Sequence, residues 1–565
     1  NGRQLRVILL ITSPLGADIG APGDYKITDC RPKETLRLPL RTSGADIVTI
    51  YANGYAGDTA NGSIFAENDL DVSLALDNRI DSQLAAYLSC KTPVMRATAG
   101  MLNLVADVTE ADPRTEMIAV YLHGFSNGGD VLVGRPGVRT PADLNGGKIA
   151  LQDAGPHVDL MTRVLADAEQ DAQKAGKPWQ DPQLVLTPDL VGIYGDTPAA
   201  RFRPAGSSID AVFVPRAAAD VLTGGEAATG TGAEGSVDGA RRIMSTKSAS
   251  RVISELYVVR RDYFEANRGQ VKRLVKALLE AEERTREDVV KQIVDWPEVA
   301  ELLLPEGGTA EEAEALWAGT ETVGLDGNRD WANERHPRSF QAINNDIQSE
   351  LVEMGAMTRA HGIALASWDY DSFAGGLFDT RSVDLPGFDS QEASQTVREM
   401  DKSGDLDAKT LTQFEINFAP NQHDFTAKQY ADEFDTVIEK AATYGGALLS
   451  VEGHSDPYKY LRLKHDGADV STLRNVRKSA KNLSWRRADA VREAIMDYAE
   501  DSGLTLDASQ FVVIGRGIEA PKTGMCGTDP CPPRTEKEWR SNMRVVFRMT
   551  SVEAEAKVFT PPVEW

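Results

Sequence analysis

The chain has 565 residues, of which 41% are hydrophobic, and its 61 Lys and Arg against 85 Asp and Glu give a formal charge of −24. That length exceeds one ordinary core and predicts two to four domains. The acidic balance argues against a nucleic-acid partner, which needs clustered cations to displace counterions, and no run approaches the roughly eighteen apolar residues of a membrane span.

The N-terminal stretch "LRVILLITSPLGADIG" holds only "VILLI" as an unbroken apolar core. It reads either as a strand or as the stub of a removed signal or anchor, since Asn1 stands where Met would, and residues 1–44 are set apart on that ground. From residue 45 to 383, short β-rich runs alternate with amphipathic stretches, the pattern of a parallel sheet covered by helices. "ADIVTIYANG" reads as strand then loop, "MIAVYLHGFSNGGDVLVG" as strands around a glycine turn, and "GGKIALQDAGPHVDLMTRVLADA" as strand, loop and helix. "SIDAVFVPRAAADVL" repeats that unit, and "GQVKRLVKALLEAEERTREDVVKQIVDW" has apolar positions at helical spacing.

A polar, acidic stretch at residues 384–410 lacks a sustained apolar period and is the candidate linker. Beyond it, residues 411–550 carry strand candidates "LTQFEINFAP", "YGGALLSVEGH", "SQFVVIGRG" and "MRVVFRMT", separated by the helical "AKQYADEFDTVIEKAATY" and "SWRRADAVREAIMDYAE". That is a β-α-β-α-β-β plan of one α+β domain. Residues 551–565, with Pro561 and Pro562, form a tail to which no chemistry is assigned.

Three loops of the first domain fall where an open α/β sheet collects ligands, beyond the carboxyl ends of strands. Gly155-Pro156-His157 opens a helix, whose free N–H groups and dipole favour an anion, and His157 adds a donor or a charge. Asn53-Gly54 and Ser126-Asn127 sit at matching places; the alternative for each is a plain turn, and for His157 a cap or surface residue. Gly124-Phe125-Ser126-Asn127-Gly128 fits Gly-x-Ser-x-Gly, but a nucleophile elbow must feed a helix and "GGDVLVGRPG" reads as a strand. No phosphate loop or zinc helix is present, and the seven histidines are scattered. Neither enzyme activity, cofactor nor metal is expected. Cys526 and Cys531, in the tight loop "GMCGTDPCPPR", are expected to form a disulfide, which favours an oxidising compartment.

The stretch "FSNGGDVLVGRPGVRTPADLNGGKIALQDAGPHVDL", followed by "RIMSTKSASRVISELYVVRRDYFEAN", resembles periplasmic substrate-binding proteins of the nitrate, sulfonate and taurine type. The resemblance covers roughly residues 45–380. It implies two α/β lobes joined by hinge strands, a solute held between them by residues such as Asn53, Gly54, Ser126, Asn127, Gly155 and His157, and an ABC permease as a partner.

Residues 411–550 resemble the OmpA-like peptidoglycan-binding domain. The matching features are "FEINFAPNQ", Gly453-His454-Ser455-Asp456, Asn482-Leu483-Ser484 with Arg487-Ala488, Gly515 and Gly517, and Asn542 with Arg544. The resemblance implies that Asp456 and Arg487 bind the diaminopimelate of the stem peptide, with Asn482 and Arg544 as secondary contacts. A carboxylate suits the ammonium and a guanidinium the carboxylate of that zwitterion, and Arg487 is expected in the first turn of its helix. Two departures stand out: the insertion at residues 457–481, which either roofs the pocket or displaces it, and Met543 where the family pattern has a second arginine. The whole reads as a solute-binding protein of the periplasm or outer envelope of a diderm bacterium, anchored on peptidoglycan. The alternative is a wall-anchored structural or envelope-assembly protein whose first domain mediates protein contacts.

Overall fold

A computed structural model describes residues 15–16, 19–31, 34–225, 228–233, 235–377, 390–417 and 429–551. The first 377 residues contribute strands β1 (Thr35–Leu40), β2 (Asp71–Leu76), β3 (Val94–Thr98), β4 (Met117–Ser126), β5 (Asp130–Gly134), β6 (Lys148–Gln152), β7 (Gln183–Thr187), β8 (Ala211–Pro215), β9 (Arg241–Ser245), β10 (Ser254–Arg260), β11 (Thr320–Thr322) and β12 (Ala364–Leu365). One lobe is built on the order β11-β4-β10-β3, with β12 beside β4 and the parallel pair β1-β2 next to it; the other is β7-β6-β8-β5-β9. The chain crosses between lobes twice, at β4 to β5 and at β9 to β10.

All ten residues of β4 are buried, which is why "MIAVYLHGFS" is nearly continuously apolar rather than alternating. Gly124 is needed inside it because a Cβ there would collide with the Glu321 carbonyl of β11. Gly128 then turns the chain into β5 at φ +85°. The Gly-x-Ser-x-Gly spacing therefore comes from sheet packing and the turn that carries the chain from one lobe's sheet to the other.

Four sequence expectations need correction. The boundary at residue 45 fails: Leu36, Leu38 and Leu40 of β1 are buried, Leu15 and Ile19 join the main core, and Cys30 is bonded to Cys90. The alternation in "TLRLPL" is too short to register as a strand by period alone. "VILLI" lies outside the described residues.

Second, Ile47–Ala52 is a helix rather than a strand, with Ile47, Val48, Thr49, Ile50 and Ala52 buried, so tertiary burial overrides the β-branched run's propensity. Third, the linker is helical where it is described. Ser390–Ser403 and Asp405–Ala408 are helices, and Ala393, Val397 and Met400, spaced by four and three, cover Leu448 and Val512 with Leu406. Residues 384–389 and 418–428 lie outside the described set, as does all of the tail except Ser551.

Fourth, the helix carrying Arg487 starts at Val470 and runs to Asp501, capped by Asp469, whose side chain accepts from the Thr472 N–H at 3.0 Å. Residues 470–481 contain neither Gly nor Pro to stop it. Arg487 is therefore interior to the helix, and the terminal dipole gives it no anion-binding help.

The C-terminal strands are β13 (Thr410–Asn417), β14 (Leu448–His454), β15 (Phe511–Gly517), β16 (Met525–Cys526), β17 (Asp529–Pro530) and β18 (Arg544–Thr550). The main sheet is β13-β18-β14-β15 and β16-β17 is a separate ribbon. Helices Ala431–Thr443 and Val470–Asp501 bury Phe434, Val437, Val491 and Ile495 against Leu449, Val451, Val545 and Phe547.

This domain docks tightly on the first. Asp167 is met by Lys440 and the Tyr444 hydroxyl, and Arg163 reaches Glu439 at 2.5 Å. Arg251 and Gly446 exchange backbone bonds across the β9–β10 crossing, to Thr443 and Ser248 respectively, where a Cβ on Gly446 would strike the Lys247 carbonyl.

Candidate functional sites

Between the lobes lies a buried cation that the domain boundary hid. Arg41 follows β1, is 6% exposed, has no partner for Nε and meets only the Met101 sulfur with Nη1 at 2.7 Å. Burial lowers its pKa. The nearby carboxylates of Asp46 and Glu255 are taken by Arg96, which grips Asp46 through Nε at 3.2 Å and Nη2 at 2.8 Å and also contacts Glu255. The clue in the sequence was Arg41-Thr42-Ser43-Gly44 directly after an alternating run.

The predicted solute residues do not form one set. Ser126 and His157 come together through Asp130: the Ser126 hydroxyl donates to Oδ2 at 2.6 Å and His157 Nε2 lies 2.7 Å from Oδ1. Burial acts to raise the Asp130 pKa, but His157 and Ser126 outweigh it and hold it low. The carboxylate stands between hydroxyl and imidazole, whereas nucleophilic catalysis needs the imidazole against the hydroxyl. Asn127 is half-buried and donates its N–H to Gly319 at 2.8 Å, and Gly155 sits in a turn where a Cβ would collide with Gln152.

Asn53 and Gly54 lie elsewhere. The Asn53 amide bonds Ala56 and Thr59, and Gly54 turns at φ +75° against Ala60, so this pair builds a loop.

A residue the sequence did not mark closes the lobes. Asp159, in the first turn of the helix His157–Lys174, accepts from the Thr98 hydroxyl at 2.6 Å and the Gly100 N–H at 3.0 Å, at the start of the helix Ala99–Thr109 in the other lobe. The protein's own carboxylate thus caps a helix N-terminus across the cleft. Burial pushes its pKa up to about 7 in spite of those two donors.

In the C-terminal domain, three glycines let a helix lie directly on the sheet. A Cβ on Gly453 would strike the Ser484 carbonyl, one on Gly515 would strike Lys481 and Trp485, and Gly517 packs closely on the Lys481 backbone. Ser484 accepts from the Gly517 N–H at 2.8 Å, Gly517 accepts from the Ser455 N–H at 2.8 Å, and Ser455 donates to Ala480 at 3.2 Å. This lattice fixes Asp456, next in the chain, relative to Arg487, one turn beyond Ser484.

Asp456 is half-buried. It accepts from the Tyr458 N–H at 2.7 Å and from Asn542 at 3.4 Å, and burial raises its pKa against those donors. Arg487 is 7% exposed, and among the described residues its Nε has no partner and no carboxylate lies in ion-pair contact with it; burial lowers its pKa. Asp456 and Arg487 do not pair with each other.

Asn482 is exposed on the same helix. Arg544 is separated from Arg487 by the sheet: with Glu452, His454, Val546 and Arg548 it lines a cavity of about 900 Å³ on the opposite face. There, burial first and the charge of Arg544 second push the His454 pKa down to about 3.

The insertion after Asp456 forms the helix Tyr458–His465 and the opening turns of Val470–Asp501. Tyr460 donates to Asp529 at 2.8 Å, Arg477 does so at 3.1 Å, and Lys464 contacts it too. Asp529 belongs to the loop closed by Cys526 and Cys531, which are bonded, so insertion and loop form one wall beside Asp456. All four cysteines are in disulfides, leaving no thiol for a metal.

No family model matches the sequence, and no curated protein matches it. Among solved structures, the periplasmic aliphatic sulphonate binding protein SsuA from Escherichia coli is similar at 13% identity and TM-score 0.39, over 63% of this chain and 99% of that one. A putative periplasmic sulfonate-binding protein SsuA from Methylobacillus flagellatus is similar at 13% identity and TM-score 0.40, over 64% and 100%. The desulfurization enzyme DSZB is similar at 15% identity and TM-score 0.32, over 61% and 96%.

Proposed function

We propose that this chain is an extracytoplasmic binding protein of a diderm bacterium, held on peptidoglycan by its C-terminal domain and taking a small anionic or zwitterionic solute between its two lobes for delivery to an ABC permease. The observation that carries the wall reading is Arg487. A guanidinium this buried loses hydration worth several kcal/mol, and among the described residues no carboxylate forms an ion pair with it and its Nε has no partner. A ligand carboxylate offsets that loss, through paired N–H contacts. Asp456, still half-exposed, supplies the complementary acceptor for an ammonium. The end of diaminopimelate carries both groups on one carbon. Two disulfides fit an oxidising compartment, and among the described residues no helix is long and apolar enough to cross a membrane.

For the solute, the support is Arg41, a second buried guanidinium without a carboxylate partner, at the mouth of a strand. A second reading, a wall-anchored structural or assembly protein, is favoured by Asp159, which already bridges the lobes, and by the C-terminal domain clamped on an interlobe crossing.

The wall reading is tested by pull-down on purified sacculi with the full chain. Asp456→Asn and Arg487→Ala should each weaken retention on diaminopimelate-type wall by about 2–5 kcal/mol, the cost of leaving one buried charge of a pair unanswered. Wall with lysine at that position, lacking the second carboxylate, should bind wild type poorly. Undiminished retention of both variants, or equal retention on both walls, removes the assignment.

A further inference from the structure

Against the docking face of the C-terminal domain lies a cavity of about 600 Å³, lined by Glu169, Gln173, Ser349, Glu350 and Glu353 from the first domain and by Asp435 and Thr436 from the second. Glu169 is on the helix His157–Lys174, while Glu350 and Glu353 are three apart on the helix Phe340–Glu353 and so share one face. One carboxylate oxygen from each of the three lies within 4.8 Å of the others.

An acidic trio on a surface needs no cation, but Glu350 is not on the surface. It is 7% exposed, accepts no hydrogen bond from the described residues, and the charges that act on it most strongly are carboxylates: Glu169, Glu353, Asp181 and Asp167. The cations lining the same cavity are engaged elsewhere, Arg163 and Lys440 with Asp167 and Glu439, and Arg338 with Asp346. A nine-tenths buried carboxylate on which like charges act most strongly is a costly arrangement that a bound cation reverses.

We propose that Glu169, Glu350 and Glu353 form a calcium site that ties the two helices together beside the domain interface. The ligand set selects the ion. Three carboxylates whose oxygens lie within 4.8 Å of one another suit Ca²⁺, which takes many carboxylate oxygens in a flexible geometry, whereas Mg²⁺ keeps several waters and takes one or two carboxylates. Three carboxylates offer up to six oxygens of the six to eight that Ca²⁺ takes, and water completes the shell.

The test uses the full chain, stripped with EDTA and titrated with CaCl₂ or MgCl₂ while its melting temperature is followed, with calorimetry for affinity. Ca²⁺ should raise the melting temperature more than Mg²⁺ at equal concentration. Glu350→Gln should melt higher than wild type in EDTA, because a like charge is gone, and should lose the Ca²⁺ response. Glu353→Gln, at an exposed position that tolerates the change, should fold as wild type and bind Ca²⁺ about tenfold more weakly, since affinity follows ligand charge. A wild-type chain indifferent to Ca²⁺, an equal response to Mg²⁺, or a Ca²⁺ response unchanged in both variants overturns the assignment.

Discussion

Arg96 in the first lobe and Arg487 in the C-terminal domain are both hidden from solvent, at 0% and 7% exposure, yet their surroundings are opposite. Arg96 holds Asp46 with two N–H groups and contacts Glu255, so its charge is answered within the fold. Arg487 has no carboxylate in contact and an unpartnered Nε. Asp130, paired with His157, extends the answered pattern through the interlobe region, whereas Asp159 has neutral donors in Thr98 and Gly100 but no cation among the described residues. Burial of a charge is therefore not itself the sign of a binding site. The informative feature is which charge the protein leaves for something else to neutralise: Arg487 has it in full, while Arg41 has no ion-pair contact among the described residues but lies in the field of Glu255, Asp46 and Asp130.

The largest expected effect is at the answered arginine. Arg96→Met leaves Asp46 and Glu255 buried together without their cation and should destabilise the protein by about 3–5 kcal/mol in denaturant unfolding. A loss below about 1 kcal/mol would erase the contrast between the two regions.

Asp159 gives the next largest effect, and a pH sign with it. Its folded pKa of about 7 is above the unfolded carboxylate value, so its contribution is fully present below about pH 4 and is lost as pH rises through about 7. Melting of the first domain should fall across that window. Asp159→Asn, which keeps an acceptor for Thr98 and Gly100, should flatten the fall, a change of at most about 4 kcal/mol. The same variant separates the two functional readings. In a solute-binding first domain, a screen of sulfonates, carboxylates and inorganic anions shifts the melting temperature, more strongly below pH 7 or in Asp159→Asn than in wild type at pH 8. In a scaffold, no anion shifts it under either condition.

Much of the C-terminal plan is legible in sequence because its strands are short, β-rich and separated by helices with clear apolar spacing, as in "LLSVEGH" and "FVVIGRG". The glycines of those strands are legible as motif positions, though their cause, the helix Val470–Asp501 lying on the sheet, is visible only in three dimensions. The start of that helix is misread because residues 457–481 are set apart as an insertion, while the cap, Asp469 with Thr472, stands inside them, thirteen residues upstream of Asn482. In the first domain, the alternation of β and α elements is legible and the charge partners are not. Arg96 meets carboxylates 50 and 159 residues away, and Asp159 meets Thr98 61 residues away, distances over which no spacing rule operates. His157 illustrates the limit well: its place at a helix start beyond a strand is legible, but its commitment to Asp130 depends on the crossing between lobes.

The smallest effect has the opposite sign from the first and is the sharpest check on the comparison. If Arg487 is a charge kept buried for a ligand, the free protein pays for it and gains nothing back until the ligand arrives. Arg487→Met preserves a long, flexible, apolar stem in the same space and removes only the guanidinium. The free protein should then be as stable as wild type or more so, by up to about 1–3 kcal/mol, the cost of an unsatisfied buried polar group. At the same time its retention on diaminopimelate-type sacculi should be lost, so that stability and wall binding move in opposite directions in a single variant. Were Arg487 instead a structural residue satisfied by contacts within the domain, Arg487→Met would lower stability as Arg96→Met does, and any loss of wall binding would follow from unfolding. Equilibrium unfolding in denaturant, run beside the pull-down on the same preparations, distinguishes the two.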